Sequence, residues 1–284
     1  MTYIHGTSPR EQQRLIDQAE RFDGLLAANL ELHPGERLLE IGCGVGAVLA
    51  GIARAHPEAQ LCGIDISPEQ IDGARQHLAG QELAGIDLVV GNGAALPWPD
   101  GHMDRVRLVW VIEHLADPQP VLAEALRVLR PGGSIHLTET DYSSLRVVPA
   151  DTAIEALLAA FVTHFNRHGN AHAGPQLGPL LEQAGFTGVA VTMVGIHHWC
   201  RGQRLQLQAF CSYLLGFITP ELAALESAAG TAAEAALIRS GHDRLAQLAE
   251  RPGAAISLSI YQARAQKPQA GRPNHGQQRA TTTP

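Results

Sequence analysis

The sequence predicts an α/β fold: a doubly wound, mostly parallel sheet of seven strands, the last one antiparallel, with a helical lid insert. Three observations predict it. The stretch "LLEIGCGVGAVLA" (residues 38–50) sets Gly42, Gly44 and Gly46 between two apolar runs, as where a strand turns tightly into a helix. From Glu36 to Thr138 short apolar segments alternate with helix-length ones, the pattern of βαβ units. After Thr140 the rhythm changes to longer helical segments before one last apolar strand.

Taken in order, Ser8-Pro9-Arg10-Glu11 supplies an N-cap serine, a proline at the first helical position and a glutamate three residues after the cap. A helix is therefore predicted from there to about residue 30. The residues before it carry Tyr3 and His5 and are read as a flap. Next come a strand at 37–41, a helix at 45–56, a strand at 60–64, a helix opened by Ser67-Pro68-Glu69-Gln70 and a strand at 87–90. A strand at 104–111, a helix at 119–129 ended by Pro131-Gly132-Gly133 and a strand at 134–138 complete the alternating part. The remainder reads as helices at 152–167 and 176–184, a strand at 186–194, helices at 205–217 and 220–249, and a strand at 255–263.

This divides the chain into an N-terminal helix and flap (1–33), a ligand-binding domain (34–266) and a tail (267–284) too rich in Pro, Gly and polar residues to order itself. Insertions at about 150–185 and 203–252 form the lid. In a doubly wound sheet the ligand sits outside the carboxyl ends of the strands, where strand order reverses. Functional residues are expected just after strands.

Two nucleotides compete for the glycine turn, because Gly42, Gly44 and Ala47 also satisfy the GxGxxG/A form of a nicotinamide-dinucleotide fingerprint. Glu40, at the end of the strand, discriminates between them. Its carboxylate suits a ligand with a charged amino group and repels a pyrophosphate, which favours S-adenosylmethionine over NAD. Asp65, ending the next strand in "LCGIDIS", suits the ribose hydroxyls of either.

Beyond these, "VVGNGAALPWPDGHMDRVRLVWVIEHLADP" (residues 89–118) and "LRVLRPGGSIHLTETD" (residues 126–141) closely resemble the class I S-adenosylmethionine-dependent methyltransferases, with their Rossmann-like fold. The resemblance is to the small-molecule group that includes the ubiquinone and menaquinone biosynthesis enzymes, and it covers residues 34–140. It implies that Glu40 and Gly42 hold the methionine end of the cofactor, with Cys43 and Gly44 in the same turn. It further implies that Asp65 clamps the ribose, Ile66 packs on the adenine and the Gly93 N–H meets the ring. Asn92 stands where the family usually has an aspartate facing the adenine amino group, a departure that an amide oxygen accommodates. Val109 or Trp110, closing the fourth strand, lines the cofactor.

Methyl transfer from a sulfonium is an in-line displacement, so the protein has to hold the nucleophile near the methyl carbon, dry and aligned, with a base where the acceptor carries a proton. Candidates for acceptor chemistry are His114 in "VIEHL", where the family often has a histidine, and Asp141 and Tyr142 in "TETDY" beside Glu139. His197 and His198 in "IHHWCRG" follow the sixth strand, with Trp199 and Arg201 beside them to stack on a flat acceptor or meet an acidic one. Alternation along a strand points one of the two histidines inward. His164, His168 and His172 have a spacing that metals use, but Gly169 interrupts the helix and methyl transfer needs no ion, so no metal is expected.

Composition narrows the partner. A net charge of −7, without a block of Lys or Arg, argues against nucleic acid, as does "WVIEH" in place of the Asn-Pro-Pro-Tyr type of motif. No apolar run approaches the roughly 20 residues of a membrane helix. Four cysteines without CxxC pairing and an opening without a charged-then-apolar leader predict a reduced, cytoplasmic protein. The expected activity is methyl transfer to an oxygen or nitrogen of a small organic acceptor. The alternatives are C-methylation of an aromatic or polyketide-like acceptor, an NAD-dependent oxidoreductase, and a non-catalytic cofactor-binding module. The sequence leaves the oligomeric state open.

Overall fold

The computed structural model describes residues 6–28 and 30–269. Tyr3, His5 and most of the predicted tail lie outside the described residues. The chain runs α1 (Pro9–Arg21), α2 (Asp23–Ala27), β1 (Arg37–Ile41), α3 (Ala47–Ala55), β2 (Gln60–Asp65), α4 (Pro68–Gly80), β3 (Asp87–Val90) and β4 (Met103–Val109). A short 3-10 turn, Ile112–His114, leads to α5 (Gln119–Val128) and β5 (Leu129–Val148). Then follow α6 (Thr152–Phe165), α7 (Ala173–Gln183), β6 (Thr187–Trp199), α8 (Arg204–Ser227), α9 (Ala232–Ala246) and β7 (Ala255–Gln266).

The seven strands form one sheet in the order β3-β2-β1-β4-β5-β7-β6. All neighbours are parallel except β7, which runs antiparallel to both β5 and β6. Because both faces are covered by helices, successive strand residues are buried on opposite sides. Leu38 packs with Leu49 and Ile52 of α3, whereas Leu39 packs on the other face among Leu122 of α5 and Leu177 of α7. A third apolar layer joins α6, α8 and α9 to the far ends of β5 and β7, around Phe161, Leu214 and Ile256. It lies at the end of the sheet where the glycine turn opens.

Several boundaries depart from the sequence expectation, each for a local reason. The predicted N-terminal helix breaks at Phe22, which caps α1 and packs its ring 5.4 Å from Trp110. Pro131-Gly132-Gly133 does not end α5. The helix stops at Val128, and residues 130–133 bulge inside β5, between the Met103↔Leu129 and Arg105↔Ser134 pairings. Pro220 does not start a helix but lies within α8. The break falls later, where Thr231 and Glu234 close a reciprocal capping box that opens α9.

Candidate functional site

A cavity of about 450 Å³ opens at the carboxyl ends of β1, β2 and β4. The glycine turn forms its floor. Gly42 and Cys43 donate their N–H groups to the Ile64 carbonyl (2.8 and 3.1 Å), which pins the turn to β2. Gly42 has φ +73°, and a Cβ there would lie 2.5 Å from Val111 Cγ2, so only glycine fits. Gly44 donates its N–H to Asp65 Oδ2 (2.9 Å) and Ser67 donates to Oδ1 (3.0 Å), so the Asp65 carboxylate is held in one orientation at the rim. Ile66 lines the cavity while 58% exposed, an apolar surface without a protein partner over most of its area. Gly93 lies across from it, where a Cβ would meet Ile41 Cγ2 at 2.7 Å.

Glu40 is only 2% exposed, and its Oε2 has no hydrogen-bond partner among the described residues. Burial pushes its carboxyl up to about 8, against the pull of the Arg107 guanidinium and with a further push from Asp65. Arg107 pairs in register with Glu40 across β1 and β4 and is itself buried, donating to the Leu26 carbonyl. An orphaned, buried carboxyl oxygen facing a cavity fits a cationic amino group. A pyrophosphate would face a second anion there.

Residues 39–137 match a family described as a methyltransferase domain. They form a class I S-adenosylmethionine-dependent methyltransferase domain. The chain is 34% identical over 155 residues to the 27-O-demethylrifamycin SV methyltransferase of Amycolatopsis mediterranei, a match covering 54% of each chain. It is 32% identical over 118 residues to the demethylmenaquinone methyltransferase of Symbiobacterium thermophilum (41% of this chain, 47% of the relative). The chain spans about half the length of the curated relatives it matches. Among solved structures, the YcgJ protein of Bacillus subtilis shares the fold with a TM-score of 0.58 at 16% identity, over 88% of this chain and 99% of that one. The cofactor of such a domain is S-adenosylmethionine. The residues present fit such a group: a buried carboxyl with an orphaned oxygen, a carboxylate held in one orientation at the rim and an exposed apolar face at Ile66.

The methyltransferase domain brings Glu40, Gly42, Cys43, Gly44, Asp65 and Ile66 to one cavity wall, together with Asn92, Gly93 and Val109. Asn92 uses its amide oxygen to accept the Ala94 N–H (2.9 Å), so that oxygen is oriented by its own loop. Of the acceptor-side candidates, His114 and Tyr142 line the cavity. Burial holds the His114 imidazole neutral, down to about 3, with the Arg14 charge acting the same way. Tyr142 projects from a bulge in β5 where residues 142–145 face the single residue Leu258, and its hydroxyl donates to Glu113 Oε1 (3.4 Å).

The other three candidates lie outside the cavity wall. Asp141 lies off the cavity wall, accepting from Ser143 N–H and Oγ (3.0 and 2.5 Å), with His172 Nδ1 at 3.6 Å. His197 and His198 end β6, the outermost strand, four places from β1 in the sheet. At about 4.8 Å per strand that is roughly 19 Å from the glycine turn. His197 is exposed, and His198 packs its ring 5.6 Å from Phe210. Trp199 is 54% exposed beside them. His164 Nε2 lies 3.2 Å from Glu221 Oε2, whereas His172 faces Asp141.

Sequence reasoning missed several residues of the wall. Gln70, in the first turn of α4, is 4% exposed with its Oε1 unpartnered among the described residues. Arg14 and Gln18 reach in from α1, and Tyr213 and Phe217 from α8. The amphipathic spacing of α1 carried a signal for the first two. Trp110, which with Val109 was expected to close the fourth strand against the cofactor, lines the cavity with φ +53° and donates its indole N–H to Thr140 Oγ1 (3.0 Å).

Proposed function

We propose that this chain transfers a methyl group from S-adenosylmethionine to an oxygen or nitrogen of a small organic acceptor. The observation that carries the reading is Glu40, a buried carboxyl with an oxygen unpartnered among the described residues beside a glycine turn, in a cavity whose wall also carries the rings of Trp110, Tyr142, Tyr213 and Phe217. When bound, the cofactor supplies a methyl group on a sulfonium. The protein's part is to grip the amino acid end at Glu40, fix the ribose at Asp65, and keep the methyl end under the roof made by α1 and α8, away from water. Tyr142 and His114 stand at the acceptor end, both uncharged, as groups that accept or relay a hydrogen bond from the acceptor.

The test is a calorimetric titration with S-adenosylhomocysteine and, separately, with NAD. The homocysteine compound is expected to bind and NAD to give no heat. Glu40→Gln should weaken binding about 10- to 100-fold, the worth of one hydrogen bond to a charged group. Binding of NAD in its place, or indifference to the Glu40 substitution, would refute the reading.

A further inference from the structure

The aromatic residues of this chain are unevenly placed. Five of its six phenylalanines (Phe22, Phe161, Phe165, Phe210 and Phe217) belong to one connected network of ring contacts with Trp110, Tyr142 and Tyr213. Four of these rings, Trp110, Tyr142, Tyr213 and Phe217, form the wall of the cavity beyond the glycine turn. The others brace them from behind: Phe22 touches Trp110 and Tyr213 at centroid distances of 5.4 and 5.5 Å, and Phe161 touches Tyr142 and Phe217 at 5.6 and 5.4 Å. A braced ring wall presents flat apolar faces at fixed positions, the arrangement that stacks on a planar ligand.

Charge at this end of the cavity is already matched within the protein. Arg14 directs Nε and Nη2 to the two oxygens of Glu11 (2.7 and 2.6 Å) and Nη1 to Gln18 Oε1 (2.8 Å), with its guanidinium over the Phe217 ring. Glu139 accepts the N–H groups of Val111 and Ile112 (2.8 and 2.7 Å). Glu113, buried beside it, is kept protonated by burial and by the Glu139 charge. Tyr142, whose hydroxyl donates to Glu113, keeps its oxygen lone pairs for an incoming donor.

Resting on the reading of this cavity as a methyltransferase site, we infer that the acceptor is a planar, ring-containing molecule bearing a hydroxyl group and no anionic group. Its ring lies against the wall of Trp110, Tyr213 and Phe217, and its hydroxyl donates to Tyr142. A carboxylate or phosphate on the acceptor would be desolvated here opposite a guanidinium that Glu11 has already neutralised.

The test uses the full chain loaded with S-adenosylhomocysteine and titrated with three probes: naphthol, hydroxynaphthoate with the same ring system, and phosphoethanolamine. Naphthol is expected to bind at least about tenfold more tightly than hydroxynaphthoate, with phosphoethanolamine silent at about 1 mM. Tyr213→Leu and Phe217→Leu should each weaken naphthol about tenfold more than they weaken S-adenosylhomocysteine, with a cooperative thermal melt reporting that the variants are folded. The inference is overturned if naphthol does not bind the loaded protein, if either charged probe binds as tightly, or if the two ring substitutions leave naphthol unaffected. Failure of S-adenosylhomocysteine itself to bind would instead overturn the proposed function, and the acceptor inference with it.

Discussion

At the residue scale, Glu40 ties cofactor binding to pH. Its carboxyl is raised to about 8 by burial, with Arg107 opposing and Asp65 adding to the rise, so at neutral pH the ligand-free protein holds a proton there. A ligand ammonium favours the ionised form and expels that proton. Affinity for S-adenosylhomocysteine should therefore increase with pH between the ordinary carboxylate value of about 4.3 and about 8, by up to about tenfold per unit, and level off above. Titrations at neutral pH in two buffers of different ionisation enthalpy should report close to one proton released, and none for Glu40→Gln. Equal apparent enthalpies in the two buffers would sink this account. Gly42 allows a second test. Both Gly42→Ala and Gly85→Ala place a side chain at positive φ, but a Cβ at Gly85 meets nothing within 4 Å, whereas at Gly42 it meets Val111 at 2.5 Å. Thermal melts should show about 1 kcal/mol lost at Gly85 and about 2–3 kcal/mol at Gly42, the excess being the clash. Residues of this kind were legible in the sequence because their role follows from position within one strand-turn-helix unit. That Asp141, His197 and His198 lie outside the cavity wall follows from a bulge in β5 and from strand order, which no local pattern encodes.

At the scale of elements, Asp151 links three segments. It caps α6, with Oδ1 accepting from Ala153 and Ile154 N–H (3.1 and 3.3 Å), while Oδ2 accepts from Arg244 of α9 (2.9 Å) and from Arg251 ahead of β7 (2.7 Å). Burial alone would raise its carboxyl, but the hydrogen bonds from Arg244, Ile154 and Arg251 outweigh it and hold the group down to about 2. A depressed carboxyl stabilises fully above its ordinary value and loses that contribution as pH falls through the depressed one. Asp151→Asn should thus lower stability by about 2–3 kcal/mol at pH 7, and the gap from the parent should close as pH falls from about 4 to about 2. A gap in denaturant midpoint that stays constant over that range would contradict it. β1, β2 and β4 were readable to within about two residues, since apolar runs buried on both faces leave little ambiguity. The lid helices were not. A proline at position 220 is a strong start signal, yet the packing of Phe217, Ile218 and Leu225 carries α8 through it, and the weaker Thr231–Glu234 box marks the true boundary.

At the scale of the whole molecule, the cavity is closed by parts of the chain that lie some two hundred residues apart in sequence: Arg14 and Gln18 on α1 and Tyr213 and Phe217 on α8, across from the glycine turn. The two helices meet through Arg14, whose guanidinium lies 5.8 Å from the Phe217 ring centroid, and through Arg21 over Tyr213 at the same distance. The roof is therefore one assembly, and a ligand beneath it should stabilise both helices together. Any ligand that binds only the folded state adds about 2.7 kcal/mol at a hundred times its Kd, which is about a hundredfold in the opening equilibrium. With S-adenosylhomocysteine at that concentration, amide exchange should slow by up to this factor in α1 and α8 as well as in the 41–48 turn. The outer part of α9, which contributes nothing to the cavity wall, should change only where its exchange requires global unfolding. Protection confined to the glycine turn and the start of α4 would mean that the two helices open independently of the bound cofactor. The ring wall would then not be preorganised, and an acceptor would have to order α8 at its own expense, with affinity reduced by the fraction of time the roof is closed.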